Sequence, residues 1–257
     1  MNLFESLEKK TPFKAAVVGA GGKTTAVFQL AYQAPGKAWV TTTTHLGTDQ
    51  LTLADRHFIL APEDEFRVGQ WLQQKVTLLT GPQTADERMR GVDAGLLDSI
   101  EHIASKEHVS VIVEADGARS HPIKAPAEHE PVIPTWAETV IVVVGLRALG
   151  KPLGSEWVHR PEIYSLLTRL QMGEPIHLQS VITMLNDPQG GLKNIPPHAQ
   201  RVALFNQLDA HPLDENELLQ MQLLSSQYDL VLTGSLAFDP DHIQRIAVRE
   251  TKPITRS

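Results

Sequence analysis

The chain has 257 residues, no cysteine and a formal net charge of −7. That length fits one large α/β domain or two small ones and is enough to bury a proper core. The absence of cysteine excludes disulfides, thiolate metal sites, a cysteine nucleophile and carriage of sulfur or selenium as a persulfide on this chain. The acidic balance argues against a general nucleic-acid binder, which carries a basic patch. The opening MNLFESLEKK lacks the apolar run of a signal peptide, and no stretch approaches membrane-spanning length. A cytoplasmic protein with no membrane and no nucleic-acid partner is expected.

In chain order, residues 15–18 (AAVV) read as a strand that runs straight into a glycine loop, 19–25, and a helix over 24–33. A second strand follows at 38–44 (AWVTTTT). Residues 52–82 then break the rhythm with two short strand candidates, HFIL and KVTLLT, around a helix, which reads as an insertion. A long mixed helix is expected over 86–105, strands at 109–113 (VSVIV) and 139–144 (TVIVVV), and an amphipathic helix over 160–170. The last elements are a strand at 201–205 (RVALF), a helix over 214–227 that opens with a D-x-x-E capping pattern, and a last strand at 230–233 (LVLT). Continuous apolar runs mark strands buried on both faces. Strands alternating with helices predict an α/β fold, a mostly parallel sheet covered by helices on both faces. No repeat or linker divides residues 1–257, so a single domain is expected.

The loop reads Gly19-Ala20-Gly21-Gly22-Lys23-Thr24-Thr25. The phosphate-loop pattern G-x-x-x-x-G-K-[ST] would put its first glycine at 17, where this chain has Val17. The donors nearest a phosphate, from Gly21 to Thr24, remain. Glycines allow the tight turn, the helix start adds amides and partial positive charge, Lys23 can reach the β- and γ-phosphates, and Thr24 can place its hydroxyl on Mg²⁺. Thr25 completes the set. An acid at the end of a neighbouring strand is also needed to hold the metal. VSVIV leads directly into Glu114-Ala115-Asp116-Gly117, where either acid can serve and Gly117 can offer its amide to a γ-phosphate. Asp116 is also a candidate water-activating base.

The run Asn206-Gln207-Leu208-Asp209 resembles the guanine-selecting N-K-x-D of GTPases, with glutamine for lysine. A carboxylate at Asp209 can accept from both N1–H and the exocyclic amine of guanine, and Asn206 can bond the base or tie loops together. Thr43 and Thr44 end the second strand, where a hydroxyl can meet Mg²⁺ or phosphate. Arg119, His121 and Lys124 form a basic, proline-stiffened loop suited to sensing the nucleotide or binding a second anion, and Arg160 is a further phosphate or partner contact. His129, flanked by Glu128 and Glu130, is a metal candidate, although adjacent loop residues seldom build a whole site.

Taken together, GAGGKTT (19–25), TTTTH (41–45), VEADGARSHPIKAPAEHEPVIP (113–134), HRPE (159–162) and NQLD (206–209) resemble the YqeC family, accessory proteins of selenium-dependent molybdenum hydroxylases. The resemblance implies a P-loop NTPase fold acting in hydroxylase maturation, with the hydroxylase or its molybdenum cofactor as partner. The strand-E-x-x-G pattern is also similar to metallochaperone GTPases, in which the corresponding Glu114 lies on the metal side and Gly117 near the γ-phosphate. The shortened loop and threonine-rich second strand resemble the ATP-dependent Mur ligases. The expected protein binds GTP, favoured over ATP, with Mg²⁺ held by Thr24 and Glu114, and hydrolyses it slowly with Lys23 on the phosphate charge. A homodimer across the nucleotide is a further expectation. The alternatives are an ATP-dependent ligase or kinase acting on a small acid or molybdopterin-type cofactor, and a non-catalytic binding protein.

Overall fold

A computed structural model describes residues 1–60 and 72–249. The run Lys14–Gly19 forms β1, and the glycine loop after it leads into a helix at Lys23–Gln33 (α2), preceded near the N-terminus by a single turn at Leu3–Ser6 (α1). The chain continues through Ala38–Thr42 (β2), Leu46–Gly47 (β3), Arg56–Ile59 (β4), Val76–Thr80 (β5) and Arg88–Met89 (β6) to a helix at Ala94–Glu107 (α3). Next come Ser110–Glu114 (β7), Ile123–Lys124 (β8), Thr139–Gly145 (β9), Val158–His159 (β10), and helices Pro161–Thr168 (α4) and Leu178–Asn186 (α5). Gln200–Asn206 (β11), Glu215–Gln222 (α6), Leu230–Ser235 (β12) and Asp239–Val248 (β13) complete the described chain.

The main sheet has the order β13-β12-β11-β9-β1-β7-β2-β5-β4. Every pair in it is parallel except β12 with β13. The apolar runs explain this directly. All residues of β2, β5, β7 and β9 are buried, as expected of strands covered on both faces. Alternate residues serve opposite layers: Ala16 and Val18 of β1 pack with Leu97 and Ile100 of α3 and Val181 and Leu185 of α5. Ala15 and Val17 pack with Val27, Leu30 and Ala31 of α2 and with Leu3 of α1. The expected α/β fold, with helices on both faces, is present. Among the described residues no helix is long and apolar enough to cross a membrane.

HFIL and KVTLLT form β4 and β5, which join the main sheet outside β2; the helix expected between them lies outside the described residues. The helix expected over 86–105 begins only at Ala94, capped by the Asp93 carboxylate, which accepts from the Leu96 amide at 2.9 Å. Residues before it are held elsewhere: β6 pairs with β3, and Val92 N–H donates to Thr42 at 2.8 Å. The helix of 214–227 carries its capping box, Asp214 with Glu217, but tightens to a 3₁₀ turn at Leu223–Ser226. Besides the single turn α1 and the two-residue strands β3, β6, β8 and β10, two longer elements were not expected, α5 and the antiparallel edge strand β13, so LVLT is not the last strand.

Register sets the site. Val17 of β1 lies opposite Glu114 of β7, and Glu114 lies opposite Thr42 of β2. On the other side Gly19 faces Val143, and Gly145 faces Asn206. The chain after β1 goes to β2, beyond β7, whereas the chain after β7 goes to β9 across β1. Strand order reverses there, and in such sheets the crevice outside the carboxyl ends is the place for a ligand.

Candidate functional site

A cavity of about 450 Å³ opens at that crevice. Its floor is Gly21, Gly22, Lys23, Thr24 and Thr25. One wall comes from the segment after β2, with Thr44, His45, Gln50 and Arg88; another comes from Glu114 and the loop from Gly117 to His121; Glu130, His159, Arg160 and Gln207 close the remainder.

The floor is a turn that only glycine tolerates at its tightest points. Gly21 and Gly22 have φ of 78° and 123°, and a side chain on Gly22 would strike the Asn206 amide. The loop amides divide into two sets. Gly19 N–H donates to Asp116 Oδ2 (3.1 Å), Ala20 N–H to Val143 (2.8 Å) and Gly21 N–H to His121 (3.0 Å), so these three are occupied within the fold. The first helical hydrogen bond comes from Ala26 to Gly22. The amides of Lys23, Thr24 and Thr25 therefore lack the preceding-turn carbonyls that would use them, and they stand at the positive end of α2. The loop amides left open therefore lie at the end of the loop, and Gly19 and Ala20 shape it without lining the cavity.

Lys23 is buried, at 5% exposure, and its ammonium donates to Gly19 O at 3.0 Å. It also lies 3.7 Å from Glu114 Oε1 and 3.4 Å from Asp116 Oδ1. Thr24 Oγ1 donates to Glu114 Oε2 at 2.9 Å, and Gln50 Nε2 donates to Thr24 Oγ1 at 3.4 Å. Burial pushes the Glu114 carboxyl up, and Lys23 and Thr24 oppose that shift. The hydroxyl and carboxylate converge on one point, and both are hard oxygen donors, the set that suits Mg²⁺.

Asp116 occupies a different place. It is 4% exposed, does not line the cavity, and is held between Lys23 and Lys124, whose ammonium lies 2.8 Å from Asp116 Oδ2. Both lysines hold this carboxylate outside the cavity lining, apart from the position expected of a water-activating base. Lys124 likewise stays below the surface: it donates to Gly117 O at 2.7 Å and pairs with Glu130 at 2.8 Å. Glu130 in turn takes a two-pronged contact from Arg160, at 2.7 and 3.1 Å. Alternating charges thus run Glu114, Lys23, Asp116, Lys124, Glu130, Arg160. Burial alone would raise Glu130, but the Arg160 and Lys124 contacts outweigh it and hold the carboxyl down at about 2. Glu130 is an ion-pair centre here, and among the described residues no group of three or more His, Asp or Glu side chains converges as a metal site.

His121 and His159 stack with ring centroids 5.5 Å apart. Burial, then the charges of Arg160, Lys124 and His121, hold His159 down at about 4, so it is neutral near pH 7. On the β11 side, Asn206 Nδ2 donates to Gly21 O at 2.7 Å and its Oδ1 accepts from Leu236 N–H at 2.9 Å. This is the loop-tying role foreseen for Asn206, and it leaves that amide no open edge in the cavity. Asp209 is exposed and outside the cavity lining, its backbone N–H held by Ser235 Oγ at 2.8 Å. Thr44 lines the cavity; Thr43 does not, and its hydroxyl is buried without a hydrogen-bond partner. Gln50, Arg88, Glu130 and His159 were not singled out for these positions, and their placing depends on contacts distant in sequence.

The family model described as YqeC protein matches residues 15–162. The chain belongs to the YqeC family. The uncharacterized protein YqeC of Escherichia coli (strain K12) is 31% identical over 230 residues, 86% of each chain. The YqeC match takes in the glycine loop, Glu114, the loop to Lys124, and Arg160, and ends before Asn206 and Asp209. No solved structure matches.

Proposed function

We propose that the protein is a P-loop NTPase that binds a nucleoside triphosphate with Mg²⁺ and acts as an accessory factor in maturation of a selenium-dependent molybdenum hydroxylase. The observation that carries the nucleotide reading is the convergence of Lys23, Thr24 and Glu114, with free helix-start amides after the glycine loop, on the floor and wall of a cavity of about 450 Å³. Those amides and Lys23 would hold phosphate charge; Thr24 and Glu114 would hold the metal. Mg²⁺, when bound, neutralises charge on the β- and γ-phosphates. Phosphoryl transfer demands mainly positioning and charge stabilisation, and this set supplies both. To reach phosphate, Lys23 must leave the Gly19 carbonyl, while Asp116 keeps Lys124 as its partner. The hydroxylase connection rests on the family resemblance.

GTP is put ahead of ATP on the likeness of Asn206-Gln207-Leu208-Asp209 to N-K-x-D, with the Asp209 carboxylate exposed in the turn after β11. Competition between GTP and ATP, each with Mg²⁺, tests the reading. Lys23→Ala is expected to abolish binding of both, and unchanged affinity in that variant sinks the nucleotide assignment. Asp209→Asn is expected to remove the GTP preference while leaving phosphate-dependent affinity. If ATP wins in the wild type, a ligase or kinase reading takes precedence. One observation already favours that second reading: the cavity extends past the glycine loop along Arg119, His121, His159 and Arg160, leaving room for another substrate.

A further inference from the structure

The cavity is asymmetric. It does not reach Asn206 or Asp209, but it continues along the loop after β7 and the start of α4. That second wall is fixed to the glycine loop. Gly21 N–H donates to His121 O, Gly145 N–H donates to Pro122 O at 2.8 Å, and Arg147 Nη2 donates to Ser120 O at 3.1 Å. The His121 ring is wedged between the carbonyls of Ala118 (2.9 Å) and Ser155 (2.7 Å). Within this braced loop, Arg119 and Ser120 both adopt left-handed backbone, φ 47° and 61°, a conformation that costs energy in side-chain-bearing residues and clusters at ligand sites.

Charge pairing separates the cations around the cavity. Lys23 and Arg160 already face carboxylates. The Arg119 guanidinium has no hydrogen bond or ion pair among the described residues, and Arg88 donates to the His45 carbonyl at 3.0 Å, with the exposed Asp86 carboxylate acting on it at longer range. His159 adds a neutral ring beside Arg160. Phosphates on the helix-start amides would engage Lys23 and leave the Arg119 wall unmet.

We propose that this wall is a second oxyanion subsite, centred on Arg119 with His159 beside it and Arg88 entering from the wall after β2, which holds the phosphate or carboxylate group of a small molecule bound beside the nucleotide. The inference rests on the nucleotide reading above and gives the second substrate its chemical class. Guanidinium forks match both oxyanions, so the probes must separate them.

The test is calorimetric titration of the full chain with inorganic phosphate and, separately, malonate, before and after saturation with Mg²⁺ and a non-hydrolysable nucleotide. The bare protein is expected to bind two phosphates and the nucleotide-loaded protein one. Arg119→Gln, an exposed loop change, is expected to weaken the remaining site by about tenfold while moving nucleotide affinity less than about threefold. Tighter phosphate assigns a phosphorylated ligand; tighter malonate assigns a carboxylate. A nucleotide-loaded protein that takes neither anion overturns the subsite. So does an Arg119→Gln variant that loses nucleotide as strongly as phosphate, for Arg119 would then be a γ-phosphate contact. If nucleotide fails to bind the wild type, the proposed function falls by itself. In that case a phosphate site lost in Arg119→Gln and kept in Lys23→Ala still upholds this inference, and a single site lost only in Lys23→Ala overturns it.

Discussion

The two sides of β1 hold the glycine loop by different physics. On the β7 side the contacts are ionic, from Glu114 through Lys23, Asp116 and Lys124 to Glu130 and Arg160. On the β11 side one neutral amide, Asn206, ties Gly21 to Leu236. A neutral strut is indifferent to the arrival of charge. An ionic chain is not, because each member's energy depends on its neighbours' charge in a poorly screened interior. The molecule therefore combines a fixed brace and a charge-responsive one around the same loop.

Breaking the ionic side in its interior should have the largest effect. Lys124→Met removes the cation between Asp116 and Glu130 and leaves buried carboxylates short of a partner, a loss of about 3–5 kcal/mol. Urea denaturation measures it, and a loss below about 1 kcal/mol would mean that water or rearrangement replaces the lysine. Asn206→Ala breaks the neutral side. It deletes two buried hydrogen bonds and exposes the Gly21 carbonyl and Leu236 amide as unpaired groups, for about 1–3 kcal/mol. Its cost should be unchanged by salt, which a denaturation series at several ionic strengths checks.

A finer distinction comes from pH. His159 falls from 6.5 to about 4 on folding, mainly through burial. Between those values the unfolded chain binds the extra proton, so stability drops as pH falls from 6.5 toward 4. His159→Gln should flatten that part of the profile. Glu130 is lowered from 4.5 to about 2, so its contribution is present above 4.5 and disappears as pH falls through about 2. Glu130→Gln should flatten only this lower part. Thermal midpoints from pH 7 to 2 on both variants separate the two; coincident profiles would show that neither group titrates as its surroundings dictate.

Much of the fold was legible because parallel strands buried on both faces leave continuous apolar runs, as in AAVV and TVIVVV. β13 escaped because an edge strand has no such run; its pattern mixes exposed and half-buried residues. In the site, the glycine loop and Thr24 were readable from spacing, whereas spacing left Glu114 and Asp116 open and only the strand-E-x-x-G likeness favoured Glu114. The ion pairs of Asp116 with Lys23 and Lys124 had no local signal, since they join the loop after β7 to the start of α2 and to β8. The partnership of Glu130 with Lys124 and Arg160 had no local signal, since it joins β8, a loop and the start of α4 through tertiary contacts.

The buried Asp116–Lys124 pair has a practical consequence at the bench. Both side chains are 3% exposed or less, so mobile ions cannot enter between them, whereas Arg88 and Arg119 sit in solvent. At molar salt the Debye length shrinks to about 3 Å, enough to quench attraction at the exposed arginines and too little to touch the pair beneath. A strong-salt wash should thus strip anions carried through purification from the outer wall and leave the loop's foundation intact, giving a clean starting state for every titration described above.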